Sequence, residues 1–167
     1  PMADINGRPF ISHLVNFWIS EGHQSFILLT GYEHNQITDY FCKNQHDADI
    51  EFSVEKTPLG TGGALLKALN DFEINKRFIL INGDTYFPLN TSLFINFHET
   101  KKSDLSIALF ASKDTNRYKR ICINNNCKVT NILPSDKTFY VNGGTYIFDP
   151  RVIEYLKSNF TANFSLT

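Results

Sequence analysis

Several stretches of the chain combine residue types and spacings suited to chemistry on a phosphorylated ligand. Pro58-Leu59-Gly60-Thr61-Gly62-Gly63-Ala64 sets three glycines in four positions ahead of the apolar-periodic run Leu65-Leu66-Lys67-Ala68-Leu69. Such a turn lets backbone approach a ligand closely, and the first amides of a following helix point at whatever sits there, as a nucleotide requires; a turn that merely joins a strand to a helix has the same composition. Asp84 comes directly after the apolar run Phe78-Ile79-Leu80-Ile81 and Asn82-Gly83. A carboxylate on a rigid strand end can hold Mg²⁺ against a nucleotide phosphate while Gly83 leaves room for a ribose; the competing reading is an aspartate that caps the turn into Thr85-Tyr86. Asn142-Gly143-Gly144-Thr145 offers backbone amides and a carboxamide to a sugar or a phosphate, or else forms a bulged strand that binds nothing. Lys137 is placed to counter a phosphate, or is a solvated surface lysine.

The elements that must position these groups alternate. Pro9 suits a first helical turn, Ile11, Leu14, Val15 and Trp18 share one helical stripe, and Gly22 ends that helix. Ser25 to Thr30 is a short apolar run expected to be a central, parallel strand covered on both faces. Helical spacing follows over His34 to Phe41, a half-buried alternating strand over Ile50 to Val54, and a helix through Leu65, Ala68, Leu69 and Phe72 after the glycine-rich turn. Phe78 to Ile81 reads as a second buried strand, Ser92 to Thr100 as a helix and Leu105 to Phe110 as a strand. That order argues for an α/β fold with an open, mostly parallel sheet and helices on both faces, in which ligands lie beyond the carboxyl ends of the strands. Arg120-Ile121-Cys122-Ile123, Lys128 to Leu133 and Phe139-Tyr140-Val141 fit antiparallel additions to the sheet. Asn142-Gly143-Gly144 is expected to interrupt before a strand over Thr145 to Phe148, and Pro150 to open a last helix bearing Val152, Ile153 and Leu156.

Composition narrows the function classes. A chain of 167 residues, 42% hydrophobic, suits one domain with a core of its own. Sixteen basic against seventeen acidic residues leave a formal net charge of −1, so no electrostatic footprint for nucleic acid or an anionic membrane exists and any phosphate must be met locally. Cys42, Cys122 and Cys127 form no CxxC pair and imply neither a disulfide framework nor a zinc site. The scattered histidines assemble no metal motif, Trp18 and most phenylalanines read as core, and no apolar run reaches membrane-spanning length. A cytoplasmic location is the expectation, with a homo-oligomer left open.

Taken together, Met2-Ala3-Asp4-Ile5-Asn6-Gly7-Arg8-Pro9, Pro58 to Ala64, Asn82-Gly83-Asp84-Thr85 and Val141 to Phe148 resemble the ordered motifs of the sugar-phosphate nucleotidyltransferases. Within that family they look most like the D-glycero-D-manno-heptose 1-phosphate guanylyltransferases. The resemblance spans nearly the whole chain; it is specific for the family and only weakly so for the sugar. It implies one partial nucleotidyltransferase domain over 1–167, with a Rossmann-like fold and a mixed, mostly parallel sheet truncated at both ends. It also implies attack of a sugar 1-phosphate on the α-phosphorus of a nucleoside triphosphate with Mg²⁺ as cofactor, a reaction that needs alignment and charge neutralisation more than covalent help. By the same resemblance Leu59, Gly60, Thr61, Gly62 and Gly63 would contact the base, Gly83 would lie near the ribose and Asp84 would ligate the metal. Asn142, Gly143, Gly144 and Thr145 would face the sugar phosphate, and Lys137, in Ser135-Asp136-Lys137 where the family shows a Glu-Lys pair, would bind its phosphate.

The departures set limits. The family's glycine-rich loop of the type GGxGTRL belongs ahead of the Lys-Pro that precedes Met2, and the sequence starts at that proline. Asn163-Phe164-Ser165-Leu166-Thr167 resembles the segment after which a second metal-binding aspartate would come, and Tyr118-Lys119 stands where Tyr-Gly is common. The chain taken alone is therefore expected to turn over poorly, since the triphosphate-cradling groups are not among its residues. A degenerate module that binds a nucleotide sugar without catalysis is the alternative class, and a hexose 1-phosphate the alternative substrate. A metal-dependent glycosyltransferase is disfavoured because Asn82-Gly83-Asp84 supplies no DxD pair.

Overall fold

Asn6 and Gly7 both take positive φ, 54° and 81°, the geometry of a two-residue primed hairpin turn. They join β1 (Asp4–Ile5) to β2 (Arg8–Pro9), an antiparallel pair that the sequence reading did not anticipate. In the computed structural model, residues 1–113, 119–133 and 139–161 are described. Lys137, Tyr118 and the Asn163 to Thr167 segment lie outside them. Two compact units result, one from the described residues up to Phe78 together with those from Phe148 onward, the other from Ile79 to Ile147.

In the first unit, β2 runs into α1 (Phe10–Ser20), with Pro9 as the residue before the helix. Next come β3 (Ser25–Thr30), α2 (His34–Lys43), β4 (Asp49–Val54) and α3 (Gly60–Asp71). β3 and β4 are parallel, with Phe26 opposite Ile50 and Leu28 opposite Phe52. These side chains pack on a cluster of Ile11 and Val15 from α1 with Ile37 and Phe41 from α2, so one sheet face and two helical stripes close on each other. β3 departs from expectation: among the described residues it pairs with β4 alone, and its residues are mostly half-buried. α5 (Pro150–Asn159) packs against α3. Asp149 precedes it, accepting from the Arg151 amide and side chain and pairing with Arg77 at 3.4 Å. Partial burial pushes this carboxyl up, but the hydrogen bonds from Arg151 and Arg77 outweigh it and hold it below the usual carboxylate range.

A pH-sensitive contact lies at the end of α1. The His23 amide donates to the Trp18 carbonyl at 3.1 Å, and the two rings lie 5.4 Å apart. Burial lowers the His23 pKa below 6.5, against the smaller raising effect of Glu21, so the folded chain favours the neutral ring. The stability this provides is complete above the unfolded value and is lost as pH falls through the lowered folded one. Melting temperatures taken from about pH 7 to about pH 5 should fall, and His23→Gln should make that fall shallower. Parallel curves for the two proteins would refute the assignment.

In the second unit, β5 (Phe78–Ile81) leads through Asn82 to Asn90 into α4 (Thr91–Lys101), then β6 (Leu105–Ser112), β7 (Arg120–Ile123), β8 (Val129–Leu133) and β9 (Phe139–Phe148). The strand order is β5-β9-β7-β8, with β6 also paired to β9. β7 is antiparallel to both β8 and β9, as expected for additions of this kind. The Asn90 side chain caps α4 by accepting from the Leu93 amide. Phe94, Ala108 and the fully buried Ile147 form the core with Ile79, Phe87, Leu89 and Ile95 around them. His98 is buried with its Nδ1 hydrogen-bonded to Ser106 Oγ at 2.8 Å, which fastens α4 to β6.

Two expectations are corrected here. Asn142-Gly143-Gly144 does not interrupt a strand, because β9 runs unbroken through it and Gly144 absorbs the local distortion with φ +73°. Phe78 to Ile81 forms its strand but is half-buried rather than covered.

Candidate functional site

The glycine-rich stretch is not a loop ahead of a helix: Gly60, with φ +70°, starts α3, and Gly62 and Gly63 are buried within its first turn. Packing overrides the low helix propensity of glycine, which leaves Gly60 and Thr61 exposed and Leu59 half-buried. The Leu59 amide donates to Glu55 Oε2 at 3.0 Å, so the entry to the turn is braced by a side chain from just beyond β4. That carboxylate lies over Gly31, where a Cβ would stand 2.6 Å from Oε1. Gly31 is thus required by close approach, and Glu55 is a contributor that the sequence pattern did not single out.

The second unit gathers the remaining described candidates at the end of β5 and in the middle of β9. The Asn82 amide donates to the Gly144 carbonyl at 2.8 Å, tying the residue after β5 to the glycine pair. Gly83 and Asp84 follow, both exposed. Asp84 Oδ1 accepts from Thr85 Oγ1 at 3.1 Å, and its carboxylate has no other hydrogen bond among the described residues. No group of three histidine, cysteine, aspartate or glutamate side chains placed to hold a metal occurs among the described residues. A single exposed carboxylate nevertheless fits Mg²⁺, which commonly takes one or two carboxylates and completes its shell with water and substrate phosphates.

On β9, Gly143, Gly144 and Thr145 are buried and Asn142 is half-buried. Asn142 Oδ1 accepts from the Gly144 amide at 2.9 Å and its Nδ2 donates to the Tyr146 hydroxyl. Both ends of this carboxamide are therefore used in holding the strand. Gly143 is needed for space, since a Cβ there would meet the Ala108 carbonyl at 2.9 Å and the Phe87 ring at 3.0 Å.

The α/β framework agrees with the comparisons with known proteins. The chain belongs to the nucleotidyl transferase family, whose sequence pattern matches residues 1–164. It is similar to the D-glycero-alpha-D-manno-heptose 1-phosphate guanylyltransferase of Aneurinibacillus thermoaerophilus, 34% identical over 158 residues that cover 92% of this chain and 67% of that one. The enzyme of the same name from Campylobacter jejuni is 32% identical over 151 residues, covering 88% of this chain and 65% of that one. The chain thus spans about two thirds of the length of these relatives. Among solved structures, HddC from Yersinia pseudotuberculosis complexed with GMP-PN superposes with a TM-score of 0.84 at 34% identity, over 99% of this chain and 72% of that one. The nucleotidyltransferase fold expected from the sequence is therefore present.

Proposed function

We propose that this chain forms one nucleotidyltransferase domain that transfers a nucleotidyl group from a nucleoside triphosphate, GTP foremost, to a sugar 1-phosphate, a heptose 1-phosphate foremost. The products are a nucleotide sugar and pyrophosphate. The observation that carries this reading is Asp84, an exposed carboxylate at a strand end, in a chain whose relatives of about one third identity are heptose 1-phosphate guanylyltransferases.

In this reading Leu59, Gly60 and Thr61 meet the base at the start of α3, with Gly62 and Gly63, buried in the first turn behind them, completing that turn. Gly83 leaves space for the ribose, and Asp84 holds Mg²⁺. When bound, that metal neutralises phosphate charge, which is the main obstacle to bringing two anions together. Asn142, Gly143, Gly144 and Thr145 shape the seat of the sugar phosphate, with Asn142 acting through its grip on the Gly144 amide. Lys137 supplies the countercharge to the acceptor phosphate. Alignment of this kind is the protein's chief contribution, because the attacking phosphate oxygen needs no further activation.

Among the described residues no helix is long and apolar enough to cross a membrane. The test is pyrophosphate release from the protein incubated with heptose, mannose and glucose 1-phosphates against each nucleoside triphosphate and Mg²⁺. Release is expected with GTP and the heptose phosphate above all other pairs. No release with any pair would overturn the reading, and preference for another base or sugar would redirect its finer part.

A further inference from the structure

We propose that Asn82 reads a hydroxyl of the acceptor sugar and is a specificity-determining residue; the inference rests on the nucleotidyl-transfer reading above. Two carboxamides belong to this end of the second unit, and they are treated differently by the fold. Asn142 spends its oxygen on the Gly144 amide and its nitrogen on the Tyr146 hydroxyl. Asn82 is exposed, and its carboxamide makes no hydrogen bond to any described residue.

Asn82 is nevertheless held in place. Its amide donates to the Gly144 carbonyl at 2.8 Å. Its side chain lies flat on Gly144, where a Cβ would stand 2.7 Å from Nδ2, 2.9 Å from Cγ and 3.1 Å from Cβ. Gly144 has φ +73°, so two properties peculiar to glycine, its backbone freedom and its lack of a side chain, are used together to seat this carboxamide. An exposed polar side chain with a fixed base and unused hydrogen-bonding atoms is pre-organised for a ligand and loses little entropy on binding it.

The chemistry of the group selects the partner. A carboxamide donates and accepts at once, as a hydroxyl does, and carries no charge with which to attract or repel a phosphate. Asn82 is separated from Asp84 by Gly83 alone, within about 7 Å along even a fully extended chain. It is thus close to where the triphosphate and the acceptor must meet. It is suited to the polyol part of the acceptor rather than to its phosphate, and so to telling one sugar 1-phosphate from another. A lost hydrogen bond to a substrate hydroxyl in such a site corresponds to about a tenfold loss in KM or kcat/KM.

The experiment compares the protein with its Asn82→Ala and Asn82→Leu variants in pyrophosphate release. The acceptor that the wild-type protein uses best is set beside a series of analogues each lacking one hydroxyl. Both variants should raise the acceptor KM about tenfold and leave the triphosphate KM and the melting temperature unchanged. One deoxy analogue should lose about tenfold with the wild-type protein and nothing further with Asn82→Ala, because residue and hydroxyl are two sides of one contact. Losses that add for every analogue, a rise in the triphosphate KM instead, or unchanged constants would each overturn the inference while leaving nucleotidyl transfer intact. A fall in melting temperature that accounts for the activity lost would also overturn it, assigning Asn82 to bracing Gly144. No pyrophosphate from the wild-type protein with any pair would overturn the transfer reading and this inference with it.

Discussion

Asp84→Asn should lower kcat/KM for pyrophosphate release about 10³-fold while leaving the fold in place, since removing one preorganised electrostatic group from such a site typically costs 10² to 10³. The size follows from what the carboxylate is proposed to do. Nucleotidyl transfer brings a sugar phosphate onto a triphosphate, and a group that places the neutralising cation acts most strongly where the charge is most crowded. Asparagine keeps the shape and the contact from Thr85 Oγ1, which is 3.1 Å from Oδ1, and removes only the charge. Because Asp84 is exposed, stability should change by no more than about 0.5 kcal/mol. Turnover and melting therefore separate cleanly. A titration with Mg²⁺ adds the diagnostic: the wild-type protein should require it, and the variant should gain little at any concentration. Unaltered turnover with unaltered metal dependence would remove Asp84 from the site. Nucleotide binding that survives the substitution and needs no metal would identify a binding module in place of an enzyme.

Where the sequence was read correctly, the signal was periodic and local. Ile11, Leu14, Val15 and Trp18 are buried on α1 because a stripe at helical spacing has only one way to leave water. The antiparallel pairing of β7 with β8 and β9 followed from short alternating runs separated by turn residues. Misreadings came from glycine, whose meaning depends on neighbours distant in sequence. Gly62 and Gly63 look like loop residues by propensity, yet they lie buried in the first turn of α3, where packing outweighs a cost of about 1 kcal/mol per glycine. Gly143 and Gly144 look like a break, yet β9 continues through them, because the surrounding side chains of Phe87 and Asn82 occupy the space that side chains at these two positions would need. Asn6-Gly7 was the opposite case: the hairpin signal was present in the sequence, and β1 with β2 was legible without being read. The candidate site was legible as a set of motifs and illegible as a set of contacts. Asn82 and Glu55 gain their importance from Gly144 and Gly31, partners that no local pattern connects to them.

Gly143→Val should destabilise the protein by about 2 to 3 kcal/mol. Its Cβ would stand 2.9 Å from the Ala108 carbonyl oxygen and 3.0 and 3.1 Å from two carbons of the Phe87 ring. The carbonyl belongs to β6, which pairs with β9, so it cannot retreat without disturbing the ladder. Phe87 in turn packs on the core formed by Phe94, Ala108 and Ile147, so its ring has little room to swing away. The preference of valine for strands opposes this with at most about 1 kcal/mol, and the clash prevails. For a chain of this size the melting temperature should fall by about 5 to 10 °C. Gly144→Ala provides the contrast. There the new Cβ would stand 2.7 Å from Nδ2, 2.9 Å from Cγ and 3.1 Å from Cβ of Asn82, so relief requires the carboxamide to swing aside and the backbone that carries it to shift, in addition to about 1 to 2 kcal/mol for an L-residue at positive φ. The carboxamide of Asn82 is displaced as a result, and the acceptor KM should rise about as far as in Asn82→Ala, about tenfold. Thermal melts and acceptor titrations on the two variants thus test adjacent glycines for different roles, space for the strand ladder at one and seating of a side chain at the next. A Gly143→Val protein that melts with the wild type would show that β6 and β9 are less closely apposed than the structure places them.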